Sequence, residues 1–286
     1  TVRPDIVCFV NGIPFAVIEC KNPHVSINQA ISQMIRNQGT EYIPQLFKFV
    51  QAVLAMNKNE VKYGTSGTSA KFWSVWKEEA APEYAAIVQS VVPYRMPTVQ
   101  DKAIVSLLHP KRLIELTQYF IVFDQNVKKI ARYQQYFAIK EIIKTINQYD
   151  ENGNRQSGVI WHTQGSGKSI TMVMLARYIL SEMRHVHPKI IVITDRINLD
   201  KQIHSTFLHT RLKPARATTG RDLSELLVNS GVDIITTTVH KFDLAAQSLD
   251  PITDPNIFAL VDESHRTQYG ELHHKMKKLL PNACYL

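Results

Sequence analysis

One stretch near the middle of the chain decides the fold: His162-Thr163-Gln164-Gly165-Ser166-Gly167-Lys168-Ser169. It follows the apolar run 159–161, which we expect to be a strand, and it opens a helical pattern. The glycines allow a tight loop whose N–H groups turn inward, and the helix N-terminus adds partial positive charge, so residues 163–169 suit a polyphosphate. Lys168 can reach the β- and γ-phosphates, and the Ser169 hydroxyl can bind Mg²⁺. The stretch predicts a nucleotide site, although His162 stands where the common pattern has Gly.

Short apolar runs alternate with helical patterns in this half of the chain, at residues 159–161, 190–194, 234–238 and 258–261. Buried strands that alternate with helices predict a parallel sheet covered on both faces. Asp262 and Glu263 follow the last run, at the strand end where ligands bind in open α/β sheets. We expect Asp262 to hold the Mg²⁺ of a bound nucleotide and Glu263 to orient or activate the attacking water.

A hairpin is predicted at the start of the chain, because Asn11-Gly12 lies between two apolar runs. Asp5 belongs to its first arm, and Glu19 and Lys21 share one face of its second arm. A two-residue turn would set Asp5 opposite Ile18. A three-residue loop or a bulge would set Asp5 opposite Glu19, and this is the register that we expect.

Two carboxylates that converge in this way favour a divalent cation, because they would otherwise repel each other. Oxygen ligands with open water positions suit Mg²⁺, with Asp5 and Glu19 as its ligands. Lys21 would orient a nucleophile or stabilise the extra negative charge of a phosphodiester transition state. Gln38 and Tyr42 are one helical turn apart, and we expect them on one face of a helix.

These five residues resemble the motifs of a nuclease family. Asp5, which follows a proline, resembles with Glu19 and Lys21 the signature of PD-(D/E)xK nucleases. Gln38 and Tyr42 resemble the Gln-x-x-x-Tyr element that RecB-like members carry beside the active site. The resemblance implies an α/β nuclease domain in which all five residues take part in catalysis.

The second half of the chain, residues 128–286, resembles the first RecA-like motor domain of superfamily 2 helicases and translocases. Arg132 and Gln135 resemble the glutamine motif that reads adenine, and Gln135 is the favoured reader. Thr194-Asp195-Arg196 and the segment 236–241 resemble strand-end motifs that grip the backbone of one nucleic-acid strand. The resemblance implies ATP and Mg²⁺ as cofactors and a parallel-sheet P-loop domain.

Taken in chain order, the motifs resemble the restriction (R) subunit of type I restriction–modification enzymes. The strings that carry the resemblance are Arg-Pro-Asp at 3–5, Ile-Glu-Cys-Lys-Asn-Pro at 18–23, Phe-Trp at 72–73, Asp-Arg at 195–196 and Asp-Glu-Ser-His-Arg at 262–266. The resemblance implies a nuclease domain over residues 1–92, a helical linker over 93–127 and the first ATPase domain over 128–286. It also implies ATP-driven movement on double-stranded DNA within a cytoplasmic complex with methyltransferase and specificity subunits.

Against that family, the chain is expected to be a fragment. The upstream helix of the nuclease fold and the second RecA-like domain, which supplies arginines to the ATP site, both lie beyond the sequence. We therefore expect weak binding and slow hydrolysis of ATP·Mg²⁺ by these residues alone.

Composition narrows the classes of protein without choosing among them. The content of 44% hydrophobic and 20% charged residues excludes a disordered chain, and no apolar run approaches the roughly 20 residues of a membrane span. The formal charge of +8 agrees with a polyanionic partner but also with a solubilising surface. Three cysteines without paired spacing favour the reducing cytoplasm.

Three other functions are alternatives to a restriction subunit. They are a DNA-repair helicase–nuclease without methylation partners, a nucleic-acid-binding module with a degenerate ATP site, and a small-molecule ATPase whose hairpin acids are structural.

Overall fold

The computed structural model describes residues 2–78, 82–161, 166–262 and 269–286. The chain divides into two compact units, Thr1–Tyr136 and Phe137–Leu286, and each is described by itself. Within the described ranges, none of the helices has the length and apolar character that a bilayer crossing requires.

The first unit is built on a four-stranded sheet in the order β1-β2-β3-β4. Its strands are β1 (Ile6–Val10), β2 (Ile13–Cys20), β3 (Ala52–Met56) and β4 (Val61–Gly64). The pairs β1–β2 and β3–β4 are antiparallel, whereas β2 and β3 are parallel. The predicted hairpin at the start of the chain is therefore confirmed.

Helix α1 (Ile27–Asn37) connects β2 to β3 and covers one face of the sheet. It begins after Ser26, whose hydroxyl accepts a hydrogen bond of 3.3 Å from the Asn28 N–H and so caps the helix. Its apolar side chains pack against the inward side chains of β2 and β3 in one buried cluster, formed by Val17, Ile27, Ala30, Ile31, Met34, Phe47, Val50, Val53, Ala55 and Trp73. Burial of each large side chain contributes about 1.5–3 kcal/mol, which fixes α1 on this face.

The rest of the first unit is mostly helical. It contains α2 (Pro44–Phe47), α3 (Pro82–Val91), α4 (Val99–Leu108), α5 (Pro110–Tyr119), and a hairpin of β5 (Ile121–Asp124) and β6 (Val127–Ile130). The linker predicted over residues 93–127 is thus helical only as far as Tyr119. Gln125 and Asn126 both have positive φ, which is the turn geometry that two-residue hairpins favour.

The second unit contains a five-stranded sheet in the order β11-β10-β7-β9-β8, with every pair parallel. Its strands are β7 (Lys189–Thr194), β8 (Ala215–Arg216), β9 (Ile234–Thr238), β10 (Ile257–Val261) and β11 (Cys284–Tyr285). Its helices are α6 (Tyr133–Ile146), which begins in the first unit, α7 (Lys168–Glu182), α8 (Ile197–His209), α9 (Gly220–Val228), α10 (Phe242–Ser248) and α11 (Tyr269–Leu279). The predicted mixed α/β fold with a parallel sheet is confirmed.

One predicted strand of this sheet is wrong. Residues 159–161 lie in an irregular segment, where Val159 is 87% and Trp161 is 90% exposed. The chain follows β11 only as far as Gly158, whose N–H donates to the Tyr285 carbonyl at 2.9 Å. A run of three apolar residues is too short for periodicity to distinguish a buried strand from a loop.

Candidate active sites

The register of the first hairpin sets Asp5 beside Glu19. The turn has two residues, but a bulge in β2 leaves Phe15 without a partner in β1. Beyond the bulge Ile6 pairs with Ile18, so the next position of each strand brings Asp5 opposite Glu19. The expected register is confirmed, and a bulge produces it.

Glu19 is a fully buried carboxylate on the face of β2 that α1 covers. Its Oε1 accepts a hydrogen bond of 2.8 Å from Lys21 Nζ, and its Oε2 has no hydrogen-bond partner among the described residues. Burial raises the pKa of Glu19, the Asp5 carboxylate raises it further, and Lys21 opposes both effects. A half-satisfied buried carboxylate is costly, and it is the kind of group that a bound cation satisfies.

Asp5 and Lys21 are anchored on either side of this carboxylate. Asp5 Oδ2 accepts a hydrogen bond of 2.8 Å from the Cys20 N–H. Lys21 Nζ donates at 2.9 Å to Oε1 of Gln33 on α1, a contact that sequence reasoning missed. Burial and the charges of Asp5 and Glu19 raise the pKa of the Cys20 thiol, which therefore stays protonated at neutral pH. The predicted carboxylates and lysine therefore come together at one end of the sheet.

Gln38 and Tyr42 do not share a helix face, and that expectation is wrong because α1 ends at Asn37. Gln38 caps the helix: its Nε2 donates to a main-chain carbonyl of α1 at 3.0 Å, and its Oε1 accepts from the Gly67 N–H at 2.7 Å. Tyr42 lies beyond the helix, with its exposed ring 5.3 Å from the Arg36 guanidinium carbon. A catalytic role for Gln38 and Tyr42 stays a prediction.

A divalent cation fits the acidic pair. Asp5 and Glu19 supply hard oxygen ligands, and one of these oxygens is buried without a protein partner among the described residues. Mg²⁺ is commonly bound by one or two carboxylates together with water and substrate phosphate. Across the described ranges, no group of three or more His, Cys, Asp and Glu side chains is placed to hold a metal. The donor set thus suits a cation shared between protein and substrate.

The nucleotide site is described in part. Lys168 begins α7, and Gly167 precedes it with φ of 86°, a left-handed conformation that glycine adopts without strain. The first-turn N–H groups of this 15-residue helix lie at Gly167, Lys168 and Ser169, and the binding of phosphate by them stays a prediction. Ser166 is also described, whereas the predicted residues Thr163, Gln164, Gly165 and Glu263 lie outside the described residues.

Asp262 and Gln135 occupy ordered positions. Asp262 is buried directly after β10, and its N–H donates to the Ile193 carbonyl of neighbouring β7 at 2.9 Å. The residue therefore lies at the carboxyl edge of the sheet, as expected. Gln135 is buried, and its Oε1 accepts a hydrogen bond of 2.9 Å from the Arg132 N–H at the start of α6. The binding of Mg²⁺ by Asp262 and of adenine by Arg132 and Gln135 stays a prediction.

The predicted nucleic-acid loops expose basic side chains and bury hydroxyls. Thr194 and residues 236–238 are buried, and Thr236 Oγ1 lies 2.9 Å from His204 Nδ1. Arg196 is 60% exposed after β7, and His240 is exposed after β9. Arg196, which is ion-paired with Asp195, and His240, rather than the threonine hydroxyls, are therefore the exposed groups of these loops.

Comparison with known proteins identifies two family segments. Residues 134–286 match the SWI2/SNF2 ATPase family, and residues 1–72 match the N-terminal family of type I restriction enzyme R proteins. The chain is 32% identical to the type I restriction enzyme HindI endonuclease subunit of Haemophilus influenzae, over 99% of this chain and 29% of that protein. It is 27% identical to the type I restriction enzyme SauCOLORF180P endonuclease subunit of Staphylococcus aureus, with the same coverage.

The chain thus spans less than a third of the length of these relatives. Along nearly its whole length it is a homologue of type I restriction enzyme endonuclease (R) subunits, and it belongs to the SWI2/SNF2 ATPase family through residues 134–286.

Proposed function

We propose that this chain carries the nuclease and part of the ATP-driven motor of a type I restriction enzyme. The first unit would be a PD-(D/E)xK endonuclease domain, and the second the first RecA-like domain of a superfamily 2 translocase on double-stranded DNA. The observation that carries the proposal is the meeting of Asp5, Glu19 and Lys21 at one end of the first sheet. The relatives are named as endonuclease subunits, which supports the same function.

The nuclease chemistry follows from the charges of this site. Mg²⁺ held by Asp5 and Glu19 would acidify a bound water and neutralise charge on the scissile phosphate. Lys21 provides a positive charge whose position is set from both sides, by Glu19 at 2.8 Å and by Gln33 at 2.9 Å. A lysine held in this way is preorganised to stabilise the extra negative charge that develops on the phosphate during cleavage.

The motor chemistry would take place at the N-terminus of α7. Lys168 and the N–H groups of the first turn bind the phosphates of ATP, while Ser169 and Asp262 hold the accompanying Mg²⁺. Glu263 orients the attacking water. Residues 163–165 would contribute to phosphate binding, and Arg132 with Gln135 would recognise the adenine.

The partners follow from the proposed assembly. The substrate is double-stranded DNA, and the chain acts in a cytoplasmic complex with the methyltransferase and specificity subunits of a restriction–modification system. The specificity subunit selects the DNA site, so the contacts made by this chain are with the backbone.

A reciprocal pair of substitutions in the assembled enzyme tests the proposal. Lys21→Ala abolishes Mg²⁺-dependent DNA nicking and leaves nucleotide binding intact, whereas Lys168→Ala abolishes nucleotide binding. Lys48→Ala, which removes an exposed lysine of the first unit, is the control and changes neither activity. Nicking that survives Lys21→Ala contradicts the nuclease assignment, and nucleotide binding that survives Lys168→Ala contradicts the motor assignment.

A further inference from the structure

A groove of about 440 Å³ opens beside the nuclease site, between Lys21 and the exposed face of α1. Its volume falls in the range of about 300–1,000 Å³ that is typical of ligand sites. The side chains that line it are Lys21, Asn28, Gln29, Ser32, Gln33 and Arg36. All six are hydrogen-bond donors, two of them are cations, and none is a carboxylate.

We propose that this groove binds the DNA backbone next to the scissile phosphate. The proposal rests on the nuclease function proposed above, since Lys21 belongs both to the groove and to the acidic site. Helix α1 would then serve two purposes, because it packs its apolar face on the sheet and presents its polar face to the substrate strand.

The arrangement of donors along α1 suits a strand. Asn28, Ser32 and Arg36 follow each other at four-residue spacing and so form one row on the helix. The row is about 12 Å long at the rise of an α-helix, which is long enough for more than one phosphate. Within the described part of the chain, no side-chain hydrogen bond engages Asn28, Gln29 or Ser32, so these donors are available to a ligand.

Arg36 is the outer anchor of the groove. It makes one long contact of 3.4 Å with Asn37 and lies over the Tyr42 ring, which orients its guanidinium without neutralising it. A guanidinium binds phosphate through two parallel hydrogen bonds. None of the six side chains that line the groove is aromatic, so the lining itself gives a base no ring to stack on. The chemistry therefore favours sequence-independent phosphate contacts over recognition of a nucleotide base.

The test measures DNA binding by the 286-residue chain as a function of salt. The probe is a fluorescent duplex, with Ca²⁺ replacing Mg²⁺ so that the DNA stays intact. Arg36→Gln weakens binding several-fold and reduces the slope of log K against log salt by about 0.9, the value for one phosphate contact. Lys48→Gln is the matched control and leaves the slope unchanged, because Lys48 precedes the start of β3, at the opposite end of the sheet from Lys21.

A second pair of variants inserts a negative charge instead of removing a positive one. Gln29→Glu weakens DNA binding, whereas Gln45→Glu, at an exposed position of α2, does not. An unchanged affinity and slope in both groove variants overturns the proposal. A loss of affinity for a free nucleotide or an acidic peptide, with DNA binding unchanged, overturns it as well.

The outcome for the groove is independent of the outcome for the nuclease. Nicking that survives Lys21→Ala refutes the proposed cleavage site, while the salt slope of Arg36→Gln still decides whether α1 binds the backbone. Conversely, if Lys21→Ala loses nicking while Arg36→Gln leaves the salt slope of DNA binding unchanged, the nuclease assignment is supported and the groove proposal is refuted.

Discussion

Lys21 Nζ lies 2.8 Å from Glu19 Oε1, and the two residues are separated by one position at the end of β2. The pair joins a fully buried carboxylate to a lysine that is only 20% exposed. The lysine satisfies one carboxylate oxygen and leaves the other without a partner among the described residues. This asymmetry makes the site sensitive to protons and to divalent cations.

The stabilisation of the chain by Mg²⁺ is predicted to depend on pH. Burial and Asp5 raise the pKa of Glu19, so in the metal-free fold its carboxylate takes up a proton at a higher pH than an exposed glutamate does. Protons therefore compete with Mg²⁺ as the pH falls through this raised pKa, before the usual value of about 4.3 is reached. We expect Mg²⁺ to raise the thermal unfolding midpoint at neutral pH and to lose this effect as the pH falls through the raised pKa of Glu19.

Glu19→Gln provides the control for that effect. Without metal, the folded state holds the charged Glu19 at a cost above its raised pKa, so the variant unfolds at a higher temperature than the parent in EDTA at neutral pH. The variant also loses its response to Mg²⁺. Glu60→Gln, at an exposed glutamate of the same unit, retains that response. A Mg²⁺-induced shift that persists in Glu19→Gln contradicts a metal site at this carboxylate.

Gln33 and Gln38 are predicted to have separable effects. Gln33→Ala removes the 2.9 Å contact with Lys21, so we expect slower nicking at nearly unchanged stability. Gln38→Ala removes the hydrogen bonds to α1 and to the Gly67 N–H, which should lower the free energy of unfolding by about 1–2 kcal/mol.

Urea unfolding and a nicking assay on both variants distinguish these roles. Should Gln38→Ala slow nicking without any loss of stability, the catalytic role predicted from the sequence is supported. Should Gln33→Ala leave nicking unchanged, the contact with Lys21 has no function in positioning the lysine.

An ion pair between the buried Asp200 and the partly exposed Arg216 is predicted to matter for the stability of the second unit. Asp200 is fully buried, and its Oδ2 accepts a hydrogen bond of 2.7 Å from Arg216 Nε. Arg216→Met leaves this carboxylate buried and unpaired, which should cost about 3–5 kcal/mol. Arg221→Met removes the exposed i,i+4 partner of Glu225 and should cost less than about 0.5 kcal/mol.

Chemical unfolding of the two variants tests this difference. The double variant Asp200→Leu with Arg216→Met recovers most of the loss, because it removes the buried carboxylate together with its partner. Equal stability of Arg216→Met and Arg221→Met contradicts the prediction.

The sequence predicted those features that depend on local pattern. The Asn11-Gly12 turn and the parallel strands β7, β9 and β10 were visible in turn residues and in runs of four or five residues. The predicted register of the first hairpin was also correct. It was chosen because the two carboxylates and the lysine of the nuclease pattern can act on one cation only when Asp5 lies opposite Glu19.

The features that were missed depend on packing between segments. The end of α1 at Asn37 separates Gln38 from Tyr42, and four-residue spacing cannot reveal where a helix stops. Gln33 contacts Lys21 only because α1 packs on β2. In the sequence, the only local indication of a role for Gln33 was the polar residues beside it on the helix. Val159 and Trp161 are apolar and yet exposed, because burial depends on whether other segments cover a side chain. A run of three residues does not contain that information.

Phe15 has no partner in β1, and this extra residue sets the register of the first hairpin. The number of residues in the hairpin therefore matters for the position of Asp5 and Glu19 as much as the side chains do. Deleting one residue from β2 between the turn and Ile18 would restore regular pairing and rotate Asp5 and Glu19 onto opposite sides of the ribbon. Such a deletion alters no acid and no lysine, yet it would disable cleavage as completely as replacing one of them. Within this hairpin, spacing is therefore as much a part of the proposed nuclease site as its side chains are, and insertions or deletions should be tolerated far less here than at an ordinary surface turn.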